Sequence, residues 1–501
     1  MAYHLLKVNI IFKNCRLSGY SLMRSHPTLA LLLLASIGTS CRGNSSDGNP
    51  DQGQDSGHGE DAHSDTTSQR TEYAFESRFV EGSSSVSYTG QTLRHALVTE
   101  MKAYLGGVTD EIDAGYFPEP GEVQDDLLYY FETVAEVGGG AALVAVPENT
   151  VQVTLDDIAS GKNLVSKIAG NDSVTDHKDW STEFAGWEQD GVTSPESLVR
   201  TWISEIDAAA VARGSGEVPT DQIFLSADGV DRQQLLQKFL TGAVPFSQAA
   251  DDYMDWTTPG KGLLSDNSEA AGEGSAYSAL EHAWDEGFGY FGANREYGSM
   301  TAADIVNEGW LDANGDERVD LNTEYVWGAS MNAAKRDLGA TVQTRMVHDA
   351  FDAFVAGREL IVSAGGELSD EQLTSLEGYA QAAIANWEMA AAATVIHYIN
   401  ALRSDLFTVI DDEGAFDLNA YAKHWAEAKG FGLWPQFNPR SPLVDTEFAQ
   451  LHELLGLSAP VWTPADGDDT DLAMTYYDDL ETVRDILCEA YAFEADNCTE
   501  W

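Results

Sequence analysis

In "EHAWDEGFGYFG", Glu281 to Gly292, an imidazole, carboxylates and a tryptophan precede glycines alternating with aromatics. Helical spacing places His282, Asp285 and Glu286 on one face, at i, i+3 and i+4. One imidazole with two carboxylates suits iron, zinc or manganese. With a metal-bound water, Glu286 would be positioned as the general base of a metallohydrolase. The same residues also read as a helix over Ser275–Glu286 ending in a tight turn. Trp284, Phe288, Tyr290 and Phe291 would then pack the core, with His282 hydrogen-bonded to a carboxylate. His348 in mid-helix, His397 in an apolar surrounding and His424 sharing a face with Glu427 pose the same choice, each reading as a structural imidazole. A bundle could bring His282, His397 and His424 into one cavity.

A second stretch carries a sharper local signal. "DANGDERVDLNTE", Asp312 to Glu324, resembles the calcium loop of EF-hand and dockerin repeats. Such loops present oxygens at positions 1, 3, 5, 7, 9 and 12. Here these positions are Asp312, Asn314, Asp316, Arg318 (through its carbonyl), Asp320 and Thr323, with Val319 at the apolar position eight. Glu317 replaces the usual glycine at position six. Thr323 replaces the bidentate acid, and Glu324 follows it. Calcium accepts this kind of ligand set because its oxygen shell is large and flexible. The ion would be either functional or a structural staple.

The elements that must position these residues are helices. Period-3.6 patterning predicts them over 91–105, 123–137, 195–213, 231–240, 275–286, 302–308, 331–363, 369–403, 418–429, 446–454 and 469–492. Ser369 before Asp370 and Glu371 gives the clearest start. Ala390–Ala393 makes a slim face for close helix approach. No sustained strand pattern is present. The fold class is mostly α: a helical bundle, or two packed bundles meeting near 300–330, with the calcium-type loop inserted. "HAWDEGFGYF" and "HWAEAKGFGLW" echo one another, each placing His, Trp and Glu before Gly-Phe-Gly. No Gly-x-Ser-x-Gly, phosphate-binding glycine loop or His-Glu-x-x-His occurs.

The N-terminal region reads as targeting sequence. "MRSHPTLALLLLASIGTSC" has Arg24, an apolar run over Leu29–Ile37 and small residues before Cys41, which makes Met23 the natural start and 1–40 a secretory signal. Its end resembles a lipobox, with Gly38 where a larger aliphatic is usual, so Cys41 is the expected lipidation site. Residues 41–70 are Gly, Ser, Asp and Gln with almost no apolar content, a tether that includes His58 and His63. Residues 71–501 form the expected helical domain. No run of eighteen apolar residues occurs.

The chain has 28 basic and 82 acidic residues. Without Lys7, Lys13, Arg16 and Arg24 of the signal, 24 basic residues remain and the formal charge is −58. Such a surface repels nucleic acid and attracts cations or basic partners. Beyond Cys41, Cys488 and Cys498 are an expected disulfide in an oxidising compartment.

"YAFESRFVEGSSSVSYTGQTLRH", "KIAGND", "YSALEHAWDEGFGYFG", "DANGDERVDLNTEYVWGASMNAAKRD" and "KHWAEAKGFGLWPQFNP" together resemble an uncharacterised family of bacterial envelope lipoproteins, over about 73–492. The chain is also distantly similar to imelysins, two-bundle helical envelope proteins tied to iron uptake and classed as peptidases. Their motif is Gly-x-His-x-x-Glu. Here His282 matches, Leu280 stands at the glycine and Asp285 at the glutamate. The tether, the acidic surface, the calcium-type loop and the His282 cluster, beside the resemblance, lead to the expectation of a protein lipid-anchored in the cell envelope, on the outer membrane, with a role in metal or iron acquisition. The expected function is divalent-metal binding without catalysis. The rivals are an imelysin-type metallohydrolase and a partner-binding module with structural calcium, its aromatic patch around Trp434, Phe437 and Trp462.

Overall fold

The computed structural model describes residues 70–172, 174–411, 416–460 and 470–501. The signal segment, Cys41, the tether histidines and Trp462 lie outside these residues. Residues 70–501 form one unit of packed helices around a merged apolar core. Among the described residues no strand forms, only isolated bridges such as Thr150–Val319 and Trp310–Tyr325.

The helices in chain order are α1 (Thr89–Asp113), α2 (Glu122–Leu128), α3 (Pro195–Gly214), α4 (Arg232–Thr241), α5 (Ala279–Phe291), α6 (Ala302–Glu308), α7 (Gly328–Gly339), α8 (Met346–Ala364), α9 (Asp370–Ile410), α10 (Leu418–Gly432), α11 (Asp445–Leu455) and α12 (Thr470–Ala490), with shorter turns between them. The mostly α reading of the sequence holds. The central element is α9, 41 residues long, or about 60 Å at 1.5 Å per residue. Its start is a reciprocal cap: the Ser369 hydroxyl accepts from the Gln372 amide at 3.2 Å, and Gln372 Oε1 accepts from the Ser369 amide at 3.0 Å. Ala390–Ala393 are buried, and α8, α10 and α12 pack along α9. One polar group sits deep in this seam. Glu388 accepts from Asn438, Ser441 and Tyr491, which satisfies a carboxylate that burial would otherwise penalise.

Two expectations about elements need correction. The single helix over 331–363 is two, α7 and α8. Thr341, Val342 and Thr344 disfavour helix between them. Asp337 reaches forward as a remote cap, accepting from the Met346 amide at 3.0 Å and the Val347 amide at 2.9 Å. Second, the glycine–aromatic run after Glu286 is helix, not turn: α5 continues to Phe291 and stops at Gly292, whose φ is 79°. A side chain at Gly289 would sit 2.5 Å from Tyr88 Cβ. The glycine is there for close packing and not to end the helix. The echoing Gly430 likewise lies inside α10, with Lys238 Cβ at 2.7 Å from where its own Cβ would be.

Two π-helical stretches, Gly242–Phe246 and Gln248–Tyr253, follow α4. Pro245 lies within the first. Its missing N–H removes one i→i−4 bond and favours the wider turn. Trp434 and Phe437 are fully buried, so they make no exposed aromatic patch.

Candidate functional site

On α5 the three sequence-selected residues do not converge. Asp285 faces inward: its Oδ1 accepts from Tyr73 Oη at 2.8 Å and from Arg358 Nε at 2.8 Å. Arg358, on α8, is fully buried. It also donates to Glu281 Oε1 at 3.1 Å and Ser85 Oγ at 2.8 Å. Arg78 completes the network at Glu281, 3.2 Å away. Two carboxylates and two guanidiniums therefore neutralise one another out of water. Burial still pushes the Asp285 carboxyl up, opposed by Arg358, and raises the Tyr73 phenol well above its usual range.

His282 is half-buried and stacks on Tyr277, ring centroids 4.3 Å apart. Its Nε2 lies 3.8 Å from Glu286 Oε1, which already accepts from Gln91 at 2.8 Å. His282 Nδ1 and Asp285 Oδ2 are both buried without a hydrogen-bond partner. Among the described residues, no group of three or more His, Cys, Asp and Glu side chains is placed to hold a metal ion. The His282–Asp285–Glu286 triad is thus not assembled. The physical reason is Arg358, which takes Asp285 into the core.

The loop at 312–324 is tightly organised. Asp312 Oδ1 accepts from the amides of Gly315 at 2.7 Å and Asp316 at 3.2 Å, and Oδ2 from that of Glu317 at 2.9 Å. Asn314 caps Asp316, and Asp316 Oδ1 caps Arg318. Gly315 and Glu317, positions four and six, both have left-handed backbone, with φ 75° and 62°. For glutamate that conformation is uncommon and costly. Val319 pairs with Thr150, and the Arg318 side chain donates to the Thr150 and Val151 carbonyls, which fixes the loop to residues 149–152. Glu324 does not point to the loop centre. It closes the loop, accepting from the Ala313 amide at 3.1 Å and the Asp320 amide at 2.9 Å. Asp320 Oδ1 accepts from the Asn322 amide and from Gln152 at 2.9 Å. Thr323 contributes its carbonyl to the Arg295 amide.

Of the three histidines expected to share a cavity, His397 and His424 come together and His282 does not. His397 and His424 flank Tyr398, at 4.9 and 6.0 Å between ring centroids. His424 Nδ1 lies 2.7 Å from Asp405. His348 contacts the Met300 carbonyl at 3.0 Å. His282 belongs to another set of contacts, on α5.

One arrangement escaped sequence reasoning. His177 Nδ1 lies 2.8 Å from Asp251 Oδ2, and the His177 amide donates to the same oxygen at 3.1 Å. His177 borders a cavity of about 640 Å³ lined in part by Asn171, Asp176, Lys178 and Trp180. Burial, helped by Asp251, raises Asp176 to about 6. An imidazole oriented by a carboxylate is an acid–base device. His177 lies in a polar run without periodicity, and Asp251 is aimed by a π-helix. Only the "KIAGND" stretch beside it stood out in the sequence.

Residues 70–417 match a family described as a domain of unknown function (DUF4856). No curated protein and no solved structure matches the chain.

Proposed function

The chain belongs to the DUF4856 family, and from that premise we propose that it is a lipid-anchored cell-envelope protein that binds a divalent cation, calcium in the loop 312–324, without catalysis. The observation that carries this reading is the loop backbone. Left-handed backbone at positions four and six, with the Asp312 carboxylate accepting from the three amides of residues 315–317, gives the tight turn such a loop needs, although its carboxylates are not gathered into a ligand group here. The turn contacts of Asp316 and Asp320 run through Oδ1, and an ionised carboxylate has further acceptor capacity. With Glu324 engaged at loop amides, position twelve falls to Thr323. The ligand charge is then low, and the affinity belongs at the weak end of calcium sites, with Kd about 10⁻⁴ M or above.

The envelope location is supported by the signal-like segment before Cys41 and by the Cys488–Cys498 disulfide. Titration calorimetry of chelator-treated full-length protein with Ca²⁺ and Mg²⁺ tests the reading. One Ca²⁺ per chain, lost in D316A, supports it; heat no greater than dilution overturns it.

A second reading, transition-metal binding with a role in metal or iron acquisition, is favoured by the orphaned His282 Nδ1 and Asp285 Oδ2. Stoichiometric Zn²⁺ or Fe²⁺ uptake that disappears in H282Q is its required result.

A further inference from the structure

Four helices bring cations to one place on this acidic molecule. Lys102 of α1 and Lys238 of α4 both donate to the same neutral oxygen, Gln237 Oε1, at 2.6 and 2.9 Å. Lys102 also donates to Gln234 Oε1 at 3.1 Å. Lys238 reaches Glu427 Oε1 of α10 at 3.1 Å, and among the described residues this is the one ion pair of the group. Lys423, one turn before Glu427, and Lys335 with Arg336 of α7 lie within the field of the same carboxylate. Arg336 Nε is buried without a hydrogen-bond partner. Tyr398 and His397 of α9 close one side, facing Glu427 and Arg336. The other carboxylate that faces Lys102 is Asp231, the N-cap of α4.

Acidic residues outnumber basic ones nearly threefold in this chain, so an arginine or lysine readily finds a carboxylate. Arg200, Arg213, Arg232 and Arg358 each do. The cluster breaks that pattern, with five cations around Glu427 and glutamines where carboxylates would serve. The cost is visible in its members. Burial and Lys238 pull Lys102 down to about 7, burial and the neighbouring cations lower Lys335, and burial lowers Arg336. The group grades from half-buried Lys102 and Lys238 to exposed Lys335 and Lys423, so an anion would meet it from the Lys335 and Lys423 side. An arriving anion with several charges would offset the repulsion that the protein leaves uncompensated.

We propose that Lys102, Lys238, Lys335, Arg336 and Lys423 form a binding site for a phosphate-bearing small anion. Phosphate fits because its tetrahedral oxygens and double charge take donors from several directions at once, ammonium point charges and a guanidinium together. A single carboxylate would engage only part of the group. The acidic surface beyond the cluster repels anions at long range, so selectivity is short-range and favours ligands compact enough to sit among the lysines.

The test uses the full-length protein, inorganic phosphate, glycerol 3-phosphate and vesicles containing anionic phospholipid, all at one ionic strength. Saturable calorimetric binding of inorganic phosphate or glycerol 3-phosphate is expected. The double variant K335Q/K423Q, at exposed positions, should weaken it at least tenfold. K178Q, whose lysine pairs with Asp445, should leave it unchanged. Binding near pH 8 should take up a proton, because the anion raises Lys102 from its depressed value; this appears as a dependence of the heat on buffer ionisation. Three results overturn the proposal: no saturable binding of either phosphate compound by folded protein, equal affinity in K335Q/K423Q, or binding to vesicles alone.

Discussion

Arg358 shows how much one buried residue decides. It holds Glu281 and Asp285 in the core; Glu281 has Arg78 as a second partner, whereas Arg358 is the one ion-pair partner of Asp285 among the described residues. R358L should cost about 3–5 kcal/mol, because it leaves buried charge uncompensated; urea unfolding followed by tryptophan fluorescence measures it. Lys429 is the opposite case. It is fully buried over the Trp187 ring, its amine 3.4 Å from the His452 carbonyl, and burial pushes it from 10.5 down to about 7. Between pH 7 and about 10.5 the unfolded chain holds more protons at this group than the folded one, so this term adds stability as pH rises through that window. K429M removes the buried amine and should both raise the melting temperature at pH 7 and flatten the rise toward pH 10. A mutant with the wild-type pH profile would contradict the assignment. At this scale the sequence was informative about residue types and silent about direction. His282, Asp285 and Glu286 share helical spacing, but Asp285 turns to an arginine 73 positions away. The Lys102–Lys238–Glu427 cluster was equally illegible, since its members come from helices hundreds of residues apart.

Helices were the most legible elements, because their apolar period and caps are local. Ser369 before Asp370 marked a true start, and the helix expected from Pro195 begins there, capped by Ser194. What local reasoning missed was tertiary. Glycines in α5 and α10 read as breakers but are contact points. G289A should therefore destabilise by about 1–3 kcal/mol despite alanine's better helix propensity, since Tyr88 Cβ is too close to the backbone to move freely. Thermal unfolding by circular dichroism gives the sign; a stabilised variant would mean that the helices can part at no cost. The remote cap by Asp337 and the π turns carrying Asp251 also depend on packing, not on pattern. In the calcium-type loop, the ligand-position residues were readable, whereas the roles of Glu324 and Arg318 as fasteners were not. E317G removes a left-handed glutamate and should leave calcium affinity unchanged or tighter, as read by calorimetry.

At the scale of the whole molecule, excess negative charge works against the compact state. Raising NaCl from 10 mM to 0.5 M should increase the melting temperature as self-repulsion is screened. The Cys488–Cys498 bond closes a short loop beside α9; reduction should lower stability by roughly 2–3 kcal/mol. The loop 312–324 bears on the same balance, since it is tied to residues 149–152 and to Arg295 and sits between α6 and α7. An ion bound there would stabilise all the elements it joins and reduce the net charge. The most direct measurement is therefore the melting temperature of the full-length protein, stripped with chelator, across a calcium series at constant ionic strength, for wild type and D316A. Calcium at a hundredfold excess over Kd should add about 2.7 kcal/mol, a rise of about 3 °C for a domain of this size, absent from D316A and not reproduced by equal Mg²⁺. Identical melting of wild type with calcium and with chelator would contradict the account.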